Sequence, residues 1–579
     1  MANRTCIKIV LFIFIYLLVT VYGGKQQIKI CMKQPDMPLT IREEDWKIKY
    51  LEIFQKFIEE KAKDDKRLNN YEIDIYLYPY SEFDKNKAEN QILVLYYMED
   101  LIVKLQKKEI DILILDDDIL FSEMSLFESS DVFKILKSRY PSLDYFQDLS
   151  KYIKKEDLSF HDPKILSGGI YEDKLIGIPY EHDFNVLFYR LEEPNSKAYN
   201  DTQLYLENME KYTWDDLIKQ IYINTQELKI SLINDNDLLN FFIEYASNHF
   251  NLSREYDPDI LKLFYNETFT DFYKSFHDII KSISEDKMIS NTFKITLDYL
   301  FGMYMYNNST FFKGKASHNI LFKLMNKKVS NNTDNIIPLT LPPKYQSVNT
   351  HKYLVVNKLS EINPEILAKI ALIITSKEAQ LERADVLGSI PTFDFTKKDS
   401  DPDLQNYCNE NSEICNAMDK MKKIYLKDIF KPDKLVPFFE IESFLPIAIR
   451  HYLIKKDPSY VEQTFKNINE FITDRLEHPY IKVISPTFCE IIVAGCILNL
   501  IEVMKYLPPY SAVKIKIFTL VGALSTNMIY IPMFAVTFRI FHIFRTKSLK
   551  NNVLIKRKLL IIDIMRTMIY YMIYIEDIL

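Results

Sequence analysis

Short apolar runs and helically spaced apolar positions alternate along the first third of the chain. Ile28 to Met32 is a short apolar run and reads as a strand. Trp46, Tyr50, Leu51, Phe54, Phe57 and Ile58 then recur at helical spacing. Tyr71 to Tyr78 alternates around Glu72 and Asp74 as a half-buried strand does, and Ile92 to Leu105 predicts a second apolar-faced helix. Ile110 to Leu115 is a continuous apolar strand, ended by Asp116, Asp117 and Asp118. Strand, helix, strand, helix, strand predicts parallel pairing in a doubly wound α/β sheet. Ligands of such sheets sit outside the carboxyl ends of the strands. The middle of the chain is more helical. Thr213 before Trp214, Asp215 and Asp216 places a hydroxyl to accept from first-turn amides. Trp46 and Trp214 are expected in the core, and Lys397 to Asn416 as a polar surface loop.

The two ends have a different character. Arg4 and Lys8 precede an apolar run from Ile9 to Val19, and Gly23 and Gly24 offer a small-residue cleavage site. This predicts a secretory signal peptide over 1–24. Near the other end, Ile515 to Phe544 is nearly uninterrupted and is the strongest membrane-span candidate. Phe488 to Leu507 is broken by Glu490, Asn499, Glu502 and Lys505; Leu559 to Ile578 by Asp563, Arg566, Glu576 and Asp577. Arg545, Lys547, Lys550, Lys556, Arg557 and Lys558 read as a cytoplasmic loop under the positive-inside rule. With a lumenal domain first, a single span through Ile515 to Phe544 satisfies that rule. Phe488 to Leu507 is then expected at the membrane interface.

Composition narrows the class. With 579 residues, 47% apolar and 26% charged, the chain is globular and too long for one core. A net charge of −7 argues against a nucleic-acid partner. Asn-X-Ser/Thr acceptors beyond the signal start at Asn200, Asn251, Asn266, Asn307, Asn308 and Asn331, which fits a glycosylated lumenal domain. Cys408 and Cys415 lie close together in a polar stretch of an oxidising compartment, and a local disulfide is expected. Cys31 is expected as an inert core residue. No zinc spacing, His-Glu-X-X-His, Gly-X-Ser-X-Gly or phosphate-binding loop occurs, so neither enzyme nor cofactor is expected. Glu181, His182 and Asp183 form an acid/base cluster with no evident nucleophile or metal partner; a secreted hydrolase is the rival they leave.

Two stretches carry a family resemblance. GIYEDKLIGIPYEHDFNVLFYR, from Gly169 to Arg190, resembles the segment of type II periplasmic solute-binding proteins of the sugar-binding kind in which a hairpin ends in Gly-X-Pro. Asp144 to Ile153, TWDDL from Thr213, FFKGKA from Phe311 and SKEAQLERADVLGSIP from Ser376 resemble the family's other features in the same order. The resemblance implies an α/β, two-lobed Venus-flytrap domain over 25–430 that closes on a small polar ligand, a carbohydrate or an amino acid. In the resembled proteins a carboxylate in the loop after the Pro touches the ligand; Asp183 holds that position here. Tyr180, Glu181, His182 and Asp117 complete the expected site. Further on, IKVISPTFCEIIVAGCILNL and VTFRIFHIF resemble the second and third spans of class C G-protein-coupled receptors of the metabotropic GABA-receptor kind. The matching residues are Ile481, Lys482, Ser485, Pro486, Gly495, Leu498, Thr537, Arg539, Ile543 and Phe544. Val536 stands where that family has Lys, and Ile515 near its Cys. This likeness implies a helical connector over 431–482 and a partial receptor transmembrane region over 483–579. A G-protein partner would require the complete core. The expectation is a receptor-like protein of the plasma membrane with its N-terminal domain extracellular, or a capture protein that does not signal.

Overall fold

The computed structural model describes most of residues 25–467 and parts of 494–530. Residues 1–24, 79–99, 118–144, 253–263, 323–337, 431–437, 468–493 and 531–579, with shorter stretches between, lie outside the described residues. The chain divides into two compact units, Met1–Asn469 and Glu470–Leu579. In the first unit β1 (Gln26–Lys33), α1 (Glu43–Ala62), β2 (Tyr71–Tyr78) and β3 (Ile112–Asp116) come first. A hairpin of β4 (Ile170–Tyr171) and β5 (Lys174–Leu175) leads into β6 (Gly177–Tyr189). Next are α2 (Trp214–Ile223), β7 (Leu228–Ile230), α3 (Asp235–His249), α4 (Phe269–Ile283), α5 (Leu297–Met305), β8 (Phe311–Lys315), β9 (Leu339–Thr340) and β10 (Gln346–Val356). The unit ends with α6 (Pro364–Ile374), α7 (Lys377–Leu387), α8 (Pro402–Glu410), α9 (Ser412–Lys420), β11 (Lys422–Ile424) and α10 (Phe438–Lys455).

The first lobe is the expected doubly wound sheet. β1 pairs in parallel with β2 on one side and β3 on the other. Strand side chains alternate between faces. Ile28, Ile30, Ile75, Ile112 and Ile114 meet Trp46, Tyr50 and Phe54 of α1, and Leu367, Ile370 and Ile374 of α6. Cys31, Leu113 and Leu115 turn the other way, towards Leu101, Leu105 and Phe146. Both faces are covered, as a parallel sheet requires. Burial pushes the Cys31 thiol up to about 12, which keeps it from reacting as a thiolate.

Two strands are shared between lobes. The strand order is β2-β1-β3-β10-β6-β8-β7. β10 runs antiparallel to β3 over Lys352 to Val356 and to β6 over Asn349 to Val355. β6 continues past β10 to pair with β8 over Asn185 to Tyr189. Its first half therefore belongs to the first lobe, whose core holds Ile178. Its second half belongs to the other lobe, where Phe184, Val186 and Phe188 meet Phe301, Tyr304, Phe312 and Phe322. On the helical side of this lobe, Trp214 is fully buried, edge-on to Phe241 of α3 at 5.0 Å. Thr213 and Asp216 form the expected reciprocal cap.

Three expectations meet a different structure. Residues 431–482, read as a connector, are in their first part built into the second lobe. Ile441, Leu445, Ala448, Ile449 and Tyr452 of α10 are buried, Arg450 pairs with Asp235 at 2.9 Å, and Phe465 stacks on Phe264 at 4.4 Å. Lys397 to Asn416, read as a loop, is largely helical. Asp401 accepts from the amides of Asp403 and Leu404, Pro402 occupies the first helical turn, and Leu404, Tyr407 and Ile414 are buried. A few apolar positions anchor a segment that is polar on average. Cys408 and Cys415 form a disulfide between α8 and α9, with Cα atoms 5.6 Å apart. Third, Tyr180 to Asp183, expected in a loop after the Pro, lie within β6 and are all buried. β10 pairs with that stretch on one side, and an isolated antiparallel bridge from His182 to Ile390 lies on the other.

Among the described residues no helix is long and apolar enough to cross a membrane. Residues 494–501 and 513–519 are helical. The second half of the Ile515 to Phe544 run, the basic segment after it and the signal segment lie outside the described residues. So do Asn266, Asn307, Asn308 and Asn331; Asn200 and Asn251 are described and exposed.

Candidate ligand site at the strand crossing

The entry into β6 is fixed by backbone packing. The Gly169 carbonyl accepts from the amides of Ile176 and Gly177 at 2.9 and 3.0 Å. A Cβ on Gly169 would stand 1.9 Å from the Gly177 oxygen, so only glycine fits there. Two residues on, the register changes. Tyr353 lies opposite Pro179, but the next residue, Lys352, lies opposite Glu181. Tyr180 is the extra residue of a β-bulge, beside a proline that has no amide to give the ladder. Its carbonyl accepts from Arg383 Nη2 at 2.9 Å, and the Arg383 guanidinium sits 4.0 Å from the centre of its ring. Arg383 is itself buried and also donates to the Ile374 carbonyl at 2.5 Å. α7 thus pins the bulge, and Tyr180 packs in the first-lobe core rather than facing solvent.

The other expected residues divide between a packed layer and a row of buried and half-buried charges. His182 shares a 2.8 Å hydrogen bond with Asn349 Oδ1 and stacks on His351 at 5.3 Å. His351 stacks in turn on Tyr425 and pairs through Nδ1 with Asp117 at 3.1 Å. Burial, then the neighbouring His351, pulls the His182 imidazole down to about 3, so it is neutral at physiological pH and no proton carrier. Asp183 accepts from Ser317 Oγ at 2.6 Å, from the Ser317 amide at 3.2 Å and from the Phe184 amide at 2.9 Å. Its two oxygens tie β6 to the turn after β8. Of the expected residues, Glu181 alone joins a chain of charges.

That chain runs across four strands. Lys33 of β1 pairs with Asp116 of β3 at 3.0 Å, and Lys352 of β10 with Glu181 of β6 at 2.8 Å. Lys352 lies opposite Asp116 in the β3–β10 register. The order β1, β3, β10, β6 therefore reads plus, minus, plus, minus, at the carboxyl ends of β1 and β3. Burial alone would raise the Asp116 carboxyl, but Lys33, Lys352 and Lys315 outweigh it and hold the group below the usual range. Burial alone would lower the Lys352 ammonium; Glu181 and Asp116 reverse that and raise it.

A small cavity of about 20 Å³ lies at the carboxyl ends of β7 and β8 in the second lobe. Its polar lining is Asn185, Ser231, Asp237, Lys313, Lys315 and His318. Its wall is braced by Glu244, fully buried, which pairs with Lys313 at 3.1 Å and accepts from Asn185 Nδ2 at 2.6 Å and the Val348 amide at 3.1 Å. Among the described residues no group of three or more His, Cys, Asp or Glu side chains could hold a metal. The sequence pointed to Lys313, Lys315 and Arg383 only through the motifs that contain them. It gave no signal for Lys33 or Lys352, whose role comes from cross-strand register.

No family model matches the chain, and no curated protein matches it. Solved structures do. The maltose-bound T. maritima MalE3 matches with a TM-score of 0.51 and 15% identity, covering 78% of this chain and 100% of that one. An ABC transporter solute-binding protein from Thermotoga lettingae, bound with α-D-tagatose, matches with a TM-score of 0.50 and 14% identity, covering 77% and 100%. The first is described as maltose-bound and the second as a solute-binding protein. At these identities the likeness defines the fold: the chain has the two-lobed α/β architecture of solute-binding proteins.

Proposed function

We propose that the chain is a membrane-tethered, receptor-like protein whose extracellular two-lobed domain captures or senses a small polar ligand, such as a sugar or an amino acid. The observation that carries this reading is the charged row Lys33–Asp116–Lys352–Glu181, set at the carboxyl ends of parallel strands where β6 and β10 cross between lobes. That is where doubly wound sheets hold ligands. Glu181 is the ligand-facing member of the expected set. Tyr180, His182, Asp183 and Asp117 hold the crossing in shape. The segments 1–24 and Ile515 to Phe544 support the extracellular, tethered placement at the plasma membrane.

The test is a thermal-shift screen of the purified full chain against sugars and amino acids. A ligand at 100-fold above its dissociation constant stabilises by about 2.7 kcal/mol. The ligand should be recovered chemically unchanged, which separates capture from hydrolysis. Glu181→Gln should abolish the shift. A chain that no solute stabilises, or that converts its ligand, overturns the proposal.

A further inference from the structure

α10 is apolar on two sides. Ile441, Leu445, Ala448, Ile449, Tyr452 and Leu453 are buried in the second lobe, where Tyr452 also donates to the Tyr273 carbonyl of α4. On the other side Phe444, Ile447 and Ile454 are 41%, 44% and 50% exposed. His451, between them, is half-buried; Tyr460 of the following helical turn stacks on it at 4.1 Å and is itself 47% exposed. Phe444, Ile447, His451 and Ile454 follow one another at steps of three, four and three. They therefore fall within about a quarter of the helix circumference and run about 15 Å along it. A single exposed apolar residue is ordinary, but large ones gathered in one row mark a contact surface. A surface helix needs one apolar stripe, and a helix that is apolar on both sides belongs between two partners. The lobe is the first of them.

We propose that the second partner is another copy of this chain, its α10 packed antiparallel on the first across a twofold axis beside Ile449. Steps of three, four and three are those of heptad positions a and d, the seam of a coiled-coil contact. The row is also a palindrome. An antiparallel copy sets Phe444 opposite Ile454 and Ile447 opposite His451, so every apolar side chain meets an apolar side chain or a ring. Such a contact uses one patch on both copies and closes after two. The ends of the row differ in charge. Glu440 stands four positions before Phe444, and Lys455 follows Ile454. The antiparallel arrangement brings position 440 of each copy towards position 455 of the other, opposite charges, whereas a parallel one sets like beside like. A lipid surface would gain from the apolar row but has nothing to match its two signed ends.

Analytical sedimentation of the purified full chain from about 1 to 100 μM, the range in which a small contact titrates, should show reversible dimers. Ile447→Glu puts two carboxylates into the seam of a dimer. It should weaken association by about thirtyfold or more, the effect of losing an interface hot spot, and leave the thermal midpoint of the dilute chain unmoved. Tyr222→Glu, at a position 62% exposed on α2, should leave association unchanged. In a chain whose unpaired cysteines are serine, Phe444→Cys mixed with Ile454→Cys should form a disulfide-linked dimer on mild oxidation, and Phe444→Cys alone should not. Monomers at every concentration, or dimers that Ile447→Glu does not weaken, overturn the proposal. Phe444→Cys that links to its own kind overturns the antiparallel pairing. A monomeric chain that binds phosphatidylcholine vesicles, and loses them in Ile447→Glu, assigns the row to a membrane surface and overturns the second copy.

Discussion

Glu244→Gln isolates a deeply buried ion pair of the second lobe. Glu244 is fully buried and Lys313 nearly so, with side chains 0% and 6% exposed, so solvent screens neither. Glutamine keeps an oxygen for the Asn185 amide and the Val348 amide but leaves the Lys313 ammonium without its counter-charge. Removing one partner of a buried pair costs about 3–5 kcal/mol, whereas replacing both by apolar groups is often neutral. Glu244→Gln should therefore destabilise the lobe by that amount, and Glu244→Gln with Lys313→Met should recover most of it. Urea unfolding followed by tryptophan fluorescence reads this directly. The chain has two tryptophans, and Trp214 packs on Phe241, one turn from Glu244 on α3. In a Trp46→Phe background the signal reports the second lobe alone. At a urea slope of about 3 kcal/mol/M the midpoint should fall by about 1–2 M. A single variant within about 0.5 kcal/mol of the parent, the range of ordinary surface substitutions, would refute the burial argument. So would a double variant no better than the single.

Other consequences are as specific. His161 and His182 are both pulled down to about 3, chiefly by burial. Unfolded histidines titrate near 6.5, so between about pH 6.5 and 3 the unfolded chain binds protons that the native chain does not. Stability should fall with pH across that window by up to about 1.4 kcal/mol per unit for each histidine. Replacing both by Gln should flatten the pH dependence measured by urea midpoints. Gly388 has φ +76°, and a Cβ there would meet Ile320 at 2.5 Å; Gly388→Ala should cost about 1–3 kcal/mol, read as a lower thermal midpoint. Reducing the Cys408–Cys415 disulfide, which closes a short loop of separation 7, should cost about 2–3 kcal/mol in the chain-entropy picture. A calorimetric midpoint unmoved by reductant would contradict it.

Local pattern made the first lobe legible. The apolar runs around Ile30 and Ile114, the alternating strand through Ile75 and the helical face from Trp46 to Phe57 each solve a burial problem within one segment. The collinear motifs placed Gly169, Gly177 and Pro179 correctly at a hairpin and a strand entry. What the sequence concealed is what depends on pairing at long range. Lys33, Asp116, Lys352 and Glu181 align only once β1, β3, β10 and β6 are in register. The one-residue bulge at Tyr180 decides which of its neighbours faces the row. Asp183 was the expected ligand carboxylate, but the hydroxyl and amide of Ser317, 134 positions along the chain, engage it. The α8–α9 pair was hidden because six buried side chains suffice to anchor a segment whose average composition is polar.

Capture of a ligand should close the two lobes about the β6–β10 crossing. Spin labels on Glu60→Cys of α1 and Lys219→Cys of α2, both exposed, bracket that movement, with the unpaired cysteines replaced by serine. The interlabel distance, measured by pulsed electron resonance on the full chain with and without a saturating concentration of the solute that stabilises it, should shorten and narrow on binding. An unchanged distance distribution, with binding verified on the same sample, would contradict the account.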